Sequence, residues 1–427
     1  MSREKADPAL IDSIEAFLMP IIAGLEPDGS PGPGRPRVLP AMALWAGMLV
    51  CIARGYSAQL ELWRLLNVTG LWEFPRFPLS DAAVYKRLKQ AGSETLQMIF
   101  EKVTALLKGR IRPVVAGMAD FAPGIFALDE TTLDAVMKRL PSLRNVGGTV
   151  LGGKLATLFD IRSQLWHRIE YQTDPDQNEK VAARGMLAFI PKGSLLLADM
   201  GYFAFEWFDD LTRLGYHWIS RLRAKTTYEI SQTLYKGPGV LDAIVWLGVY
   251  RADRAAHAVR LVSYIHKGQT RTYITNVLDP NLLSIRDISL LYARRWDIEM
   301  MFDMVKTHLN LHMLWSSHVN VILHQVFAVF TVAQIILGMR SEIAERANAD
   351  IFEVSLDLMI RWIPRFAHAG LDPIVAIAER GRFAKIIRPT TRINVNAPEP
   401  PLTEYSPLDS AIKLTRQPRY AHKASPN

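Results

Sequence analysis

YARRWDIEMMFDMVK, residues 292–306, decides how the rest of the chain is read. It sets Tyr292, Arg295, Glu299 and Lys306 at offsets of 0, 3, 7 and 14. At ~3.6 residues per turn those positions fall within ~60° of one another. A regular helix would therefore gather a phenol, a guanidinium, a carboxylate and an ammonium on one stripe. Leu291, Ile298, Phe302, Val305 and Leu309 form an adjacent apolar stripe that can bury. A solvated helix with charges three and four apart reads the same way, so the meaning of the stripe rests on what lies upstream.

Two acids upstream follow apolar strands. Asp129 ends the run GIFAL (124–128), and Asp199 ends a buried strand at 195–198 in SLLLADMGYF. Parallel strands of one sheet present their C-terminal ends on the same edge, where the ligand sites of α/β folds collect. Two carboxylates there, with a third from a helix laid against the edge, make an oxygen-only cluster. Without a counter-charge such acids repel and in part protonate. A pair of Mg²⁺ ions relieves that repulsion and suits phosphoryl displacement. On spacing alone a plainer reading stays open, in which Asp129 caps a turn and Asp199 pairs with an arginine. Asp134 and Asp160 are rivals for the first position and fit it less well. Glu130, beside Asp129, reads either as support for the site or as exposed.

Around these acids the pattern is mixed. KLATLFDIR (154–162) and LWHRIEYQT (165–173) read as a hairpin turning at Ser163-Gln164. A helix within NEKVAARGMLAFI, the strand to Asp199, the helix AFEWFDDLTRLG and the strand HWISRLR (217–223) follow. Residues 116–223 are thus an α/β unit with a mixed sheet. Residues 224–280 read as an all-β insertion. Residues 281–345 are helical again and carry Glu299, and 346–388 form a further helical region. Residues 389–427 hold seven prolines and few large apolar side chains, which predicts a disordered basic tail.

Residues 1–115 read as a helical region with a GSPGPGRP linker inside it. In PLSDAAVYKRLKQAG (78–92), Ser80 or Asp81 can cap a helix bearing Lys86, Arg87 and Lys89. With the short helix before it, this segment resembles a DNA-binding helix-turn-helix. Residues 80–112 carry seven Lys/Arg against three Asp/Glu, and the whole chain has a formal net charge of +8, a balance that suits an anionic partner.

Cys51 is the only cysteine, which excludes an internal disulfide and any cysteine-cluster zinc site and suits a reducing compartment. We read it as a small core residue. MSREKADPAL lacks the apolar core of a secretory signal. The uncharged runs 38–53 and 321–339 read as buried core helices rather than membrane spans. His308 and His312 share a helix face but lack a third ligand. GGTVLGG (147–153) lacks the Lys-Ser/Thr ending of a nucleotide-binding loop.

Tyr292-x2-Arg295-x3-Glu299-x6-Lys306, with the strand-Asp contexts ALDETTL and LLLADMGYF, resembles bacterial insertion-sequence transposases with a DDE active site. The subgroup is the cut-and-paste family marked by that Tyr-Arg-Glu-Lys signature, and the resemblance covers roughly residues 38–345. It implies an RNase H-like catalytic domain interrupted by the β-rich insertion. It implies that Asp129, Asp199 and Glu299 form a metal-binding triad for two Mg²⁺ (or Mn²⁺) ions. Tyr292, Arg295 and Lys306 would contact phosphates of the element's end. Its expected partners are the terminal inverted repeats and target DNA, bound by a homodimer in the bacterial cytoplasm at the nucleoid. Some relatives hold a flipped base on an aromatic side chain of the insertion, for which Tyr273 and Trp246 are candidates. A related nuclease that cuts without joining strands, or a silent DNA-binding descendant, are the alternatives.

Overall fold

Strand alternation sets the architecture. In β1 (Ile125–Thr132), Ile125 and Ala127 enter one core, while Phe126 and Leu128 enter another. β4 (Leu195–Ala198) divides in the same way, with Leu195 and Leu197 on the first side and Leu196 and Ala198 on the second. A sheet buried on both faces needs helices on both. The computed structural model describes Leu18, Ile21 and residues 38–420, apart from 72–73, 116, 134–152, 175–176, 178, 250–252 and 391–394. Asp134, most of the 147–153 glycine segment and nearly all of the first 35 residues lie outside the described residues.

Among the described residues the sheet has nine strands in the order β3-β2-β1-β4-β5-β9-β8-β7-β6. β2 (Lys154–Asp160) and β3 (Leu165–Gln172) form the expected antiparallel hairpin beside β1. β4 and β5 (His217–Arg221) run parallel to β1. α5 (Glu179–Met186) and α6 (Phe205–Arg213) cover the face lined by Phe126, Leu128, Leu196 and Trp218.

On the other face lie α1 (Ala41–Ala53), α2 (Gln59–Arg64), α3 (Asp81–Gln90), α4 (Glu94–Lys108), α7 (Ile285–Arg294), α8 (Trp296–Asp303) and α9 (Val319–Arg346). α9 is the axle of this layer and packs on α4, α1, α3 and β3. It is long and apolar enough to cross a membrane, but 89% of its most apolar window is buried inside the protein. Cys51 is fully buried in α1, and that burial pushes its thiol pKa up. α10 (Leu356–His368) and α11 (Pro373–Arg380) follow.

Four strands lie between β5 and α7: β6 (Tyr228–Gly237), β7 (Val240–Leu247), β8 (Val259–His266) and β9 (Gln269–Thr275). β9 pairs antiparallel with β5, so these strands continue the sheet instead of starting another.

The segment expected to be a disordered tail is ordered over residues 395–420 and runs as a strap along β6–β8. Ser406 N–H donates to the Leu234 carbonyl, and Ala258 N–H donates to that of Leu414. Tyr405 stacks on Tyr235, and the Arg416 guanidinium sits 4.6 Å from the Trp246 ring centre. The Tyr420 hydroxyl donates to Asp209 at 2.8 Å. Prolines lack a donor but do not prevent an extended strap whose other donors find a sheet.

Ser80 caps α3 as its sequence predicts, accepting from the Ala83 N–H. The turn geometry differs from the helix-turn-helix expectation. The helix begun by α2 runs on as a wide π turn over Leu65–Thr69, so residues 70–80 separate it from α3, whereas only Ala91–Ser93 join α3 to α4, and the tight pair is α3–α4. Val84 and Leu88 bury, while Lys86 is exposed and Arg87 and Lys89 are half-buried.

Candidate active site

Register brings the two aspartates together. Ile125 pairs with Leu195, Phe126 with Leu196 and Ala127 with Leu197. Carried two residues further, this register sets Asp129 level with Asp199, one strand spacing (~4.8 Å) away. Alternation then decides their side. Asp129 follows Ile125 and Ala127, and Asp199 follows Leu195 and Leu197, so both carboxylates face the layer that contains α8. α8 packs on β1 and carries Glu299. β1 runs on past Asp129 to Thr132, further than its apolar run suggests, because β2 pairs with it throughout.

Arg295 stands among the carboxylates. Its Nη2 lies 2.7 Å from Glu299 Oε1, and its Nε lies 3.6 Å from Asp199 Oδ1. The guanidinium is 4% exposed, the two acids 36% and 37%. Burial works against its charge, but Asp199 and Glu299 more than offset this, and its pKa is held above the ordinary value. The plainer sequence reading, in which Asp199 pairs with an arginine, therefore holds in this arrangement. Burial pushes the Asp129 carboxyl up to about 6. The charges of Asp199 and Glu299 raise it further, against the Glu130 N–H, which donates to Asp129 Oδ1 at 2.8 Å, and Arg295.

The quoted stretch is not one regular helix. At Arg295 the chain tightens, and the Arg295 N–H reaches the Tyr292 carbonyl three residues back. Over Met304–His308 it widens into a π turn, closed by the Leu309 N–H on the Met304 carbonyl. The wide turn spends an extra residue, so Lys306 does not keep the angle that a regular helix would give it. The Lys306 ammonium lies 5.6 Å from the Phe302 ring centre. Tyr292, Arg295 and Glu299 remain at the site.

Beside them opens a cleft of about 380 Å³ lined by Tyr292, Tyr273, Arg221, Arg271 and Trp296, among others. Tyr273 and Tyr292 have ring centres 5.2 Å apart. Of the two aromatic candidates, Tyr273 thus borders the site, while Trp246 is covered by Arg416 of the strap. Sequence reasoning missed Arg221, Arg271 and Trp296. Trp296 had a signal: it follows two arginines inside the quoted stretch and is 55% exposed.

The rival acids have other employment. Asp160 pairs with Lys108 at 2.7 Å and accepts from the backbone of Arg162 and Ser163. Glu130 points to the opposite face from Asp129 and is buried against Lys154, 2.8 Å away. His308 faces Asp357, and His312 bonds the Lys306 carbonyl.

The donor set suits a hard divalent cation: three carboxylates, oxygen only, with one acid raised by burial and then by the negative charge of the other two. As the side chains stand, Arg295 supplies the positive charge. Among the described residues no three His, Cys, Asp or Glu side chains converge as a metal-holding group.

Residues 121–334, half of the chain, match the sequence profile of the family described as Transposase DDE domain. No curated protein matches the chain. Among solved structures it is distantly similar to the piggyBac transposase synaptic complex with hairpin DNA, seen by cryo-EM. The identity is 9%, over 89% of this chain and 84% of that one, with a TM-score of 0.40.

Proposed function

The chain belongs to the transposase DDE domain family, and on that premise we propose that it cleaves DNA at the ends of its own insertion sequence and joins the freed 3′-hydroxyls to target DNA. The observation that carries this reading is the β1–β4 register, which levels Asp129 with Asp199 on the face where α8 carries Glu299. In this reading β1–β5 are the RNase H-like core, β6–β9 the insertion, and the Tyr-Arg-Glu-Lys signature marks the subgroup. Asp129, Asp199 and Glu299 would hold two Mg²⁺ or Mn²⁺ ions. Bound, these supply Lewis-acid charge for the attacking and leaving oxygens of phosphoryl transfer.

The remaining work is positioning. Neighbouring strands of one sheet fix Asp129 and Asp199 relative to each other, so little reorganisation is left for the reaction. Arg295 offers a forked donor to a phosphate, Lys306 a point charge, and Tyr292 a phenol that bonds or stacks. Tyr273, packed against Tyr292 at the border of the cleft, would be the aromatic side chain to meet an unstacked base. Lys86, Arg87 and Lys89 would grip the terminal repeats away from the scissile bond. The protein would act as a homodimer on DNA, in the cytoplasm at the nucleoid.

The test is Mg²⁺-dependent cleavage of a duplex carrying the element's flanking inverted repeats. Asp199→Ala should abolish both cleavage and joining of a precleaved end. Cleavage that persists in the variant would overturn the assignment.

A further inference from the structure

Arg295 stands between Glu299 and Asp199, two of the three acids read as the cation site. Its Nη2 is engaged by Glu299 at 2.7 Å, but its Nε is 3.6 Å from Asp199 and makes no hydrogen bond in its buried setting. That hold is one-sided. Its guanidinium carbon lies 5.1 Å from the ring centre of Trp296 and 6.0 Å from that of Tyr292, two rings that line the cleft together with Arg221 and Arg271. In its present pose the arginine thus packs behind two rings of a cleft whose cations and aromatic rings suit a phosphodiester.

We propose that Arg295 is a resident counter-ion whose transfer from Glu299 and Asp199 to a DNA phosphate makes the acidic site available to a divalent cation. This rests on the reading of Asp129, Asp199 and Glu299 as the cation-holding acids. The guanidinium and the cation compete for the same carboxylate oxygens, and their like charges forbid easy sharing. A phosphate in the cleft offers Arg295 a bidentate partner in exchange. DNA and cation then strengthen each other's binding, and by linkage the effect is reciprocal. The free protein holds divalent ions weakly until a phosphate occupies the cleft.

The experiment measures Mn²⁺ affinity by calorimetry and by the EPR signal of free Mn²⁺, using the full chain with and without a duplex carrying the flanking repeat. Wild type should bind Mn²⁺ about tenfold more tightly with the duplex, within the range usual for coupled sites. Arg295→Gln should bind it about tenfold more tightly than wild type without DNA, with little further gain when DNA is added. Arg295→Lys, which keeps the charge, should stay near wild type in the absence of DNA. Thermal melting of each variant confirms folding, and the wild-type comparison needs no variant at all. Equal Mn²⁺ affinity with and without bound duplex, together with no gain in Arg295→Gln, overturns the proposal. Asp199→Asn separates the two levels. If it lowers Mn²⁺ binding while Arg295→Gln does nothing, only the counter-ion idea fails. If Asp199→Asn leaves Mn²⁺ binding unchanged, the cation-site reading itself fails.

Discussion

Arg260 and Arg295 both bury a guanidinium against carboxylates, 0% and 4% exposed, and they are built for opposite ends. Arg260 meets Asp242 through both of its edge nitrogens, at 2.8 and 2.6 Å, and gives its remaining arm to the Leu283 carbonyl at 2.6 Å. Both partners are fully buried and leave no polar atom of the fork unused. Arg295 has one close contact, one loose one, an unbonded Nε and acids more than a third exposed. A closed pair ties β7 and β8 to the start of α7. An open pair is one that can be exchanged. Ion-pair inventories count the two alike, and only their completeness tells them apart.

The largest expected effect falls on the closed pair. Arg260→Leu strands Asp242 in the core and should cost about 3–5 kcal/mol, measured by denaturant unfolding. Arg295→Gln should cost about 1 kcal/mol or less, because its acids keep access to water. Equal losses in the two variants would break the comparison.

Next in size is a pH effect at the open site. The Asp129 carboxyl, raised to about 6, is ionised in the unfolded chain before it is ionised in the folded one. Its contribution to stability is therefore present at acid pH and lost as pH rises through about 6. Asp129→Asn escapes that loss. Its Tm should exceed that of wild type by a few degrees at pH 8, and the gain should shrink to nothing near pH 4. A gain independent of pH would place the cause elsewhere.

The smallest effect belongs to the strap. Tyr420→Phe removes one of the four hydrogen bonds that Asp209 accepts, the others coming from the Ala256 and His257 amides and the His257 ring. Global stability should change by about 1 kcal/mol, while limited proteolysis within residues 395–420 should quicken.

Much of this was legible in the chain. Asp129 and Asp199 could be paired because an apolar strand carries its side-chain parity with it, and Glu299 because a helical face does the same. What was not legible depends on partners distant in sequence. Nothing near residue 295 states that its guanidinium would rest on Asp199. The tightening at Arg295 and the widening at Met304–His308 come from packing on the sheet and on α9, not from a proline or glycine, so periodicity passed over them. Glu130 gave no hint of its partner until Lys154, on the neighbouring strand β2, was placed. The strap was misread because proline content predicts poor helix and strand, whereas its order comes from Tyr405, Arg416 and Tyr420 finding fixed partners.

That strap also sets a clock on synthesis. Gln232 bonds the Pro407 carbonyl across 175 residues, so β6 emerges from the ribosome long before its cover exists. At ordinary elongation rates the delay is roughly 10–35 s. Throughout it, Leu234, Ile244 and Trp246 present an uncovered apolar face beside an open strand edge, the arrangement most prone to wrong pairing. The nascent chain is most in need of a chaperone in that interval, and truncation before residue 405 would prolong it without end.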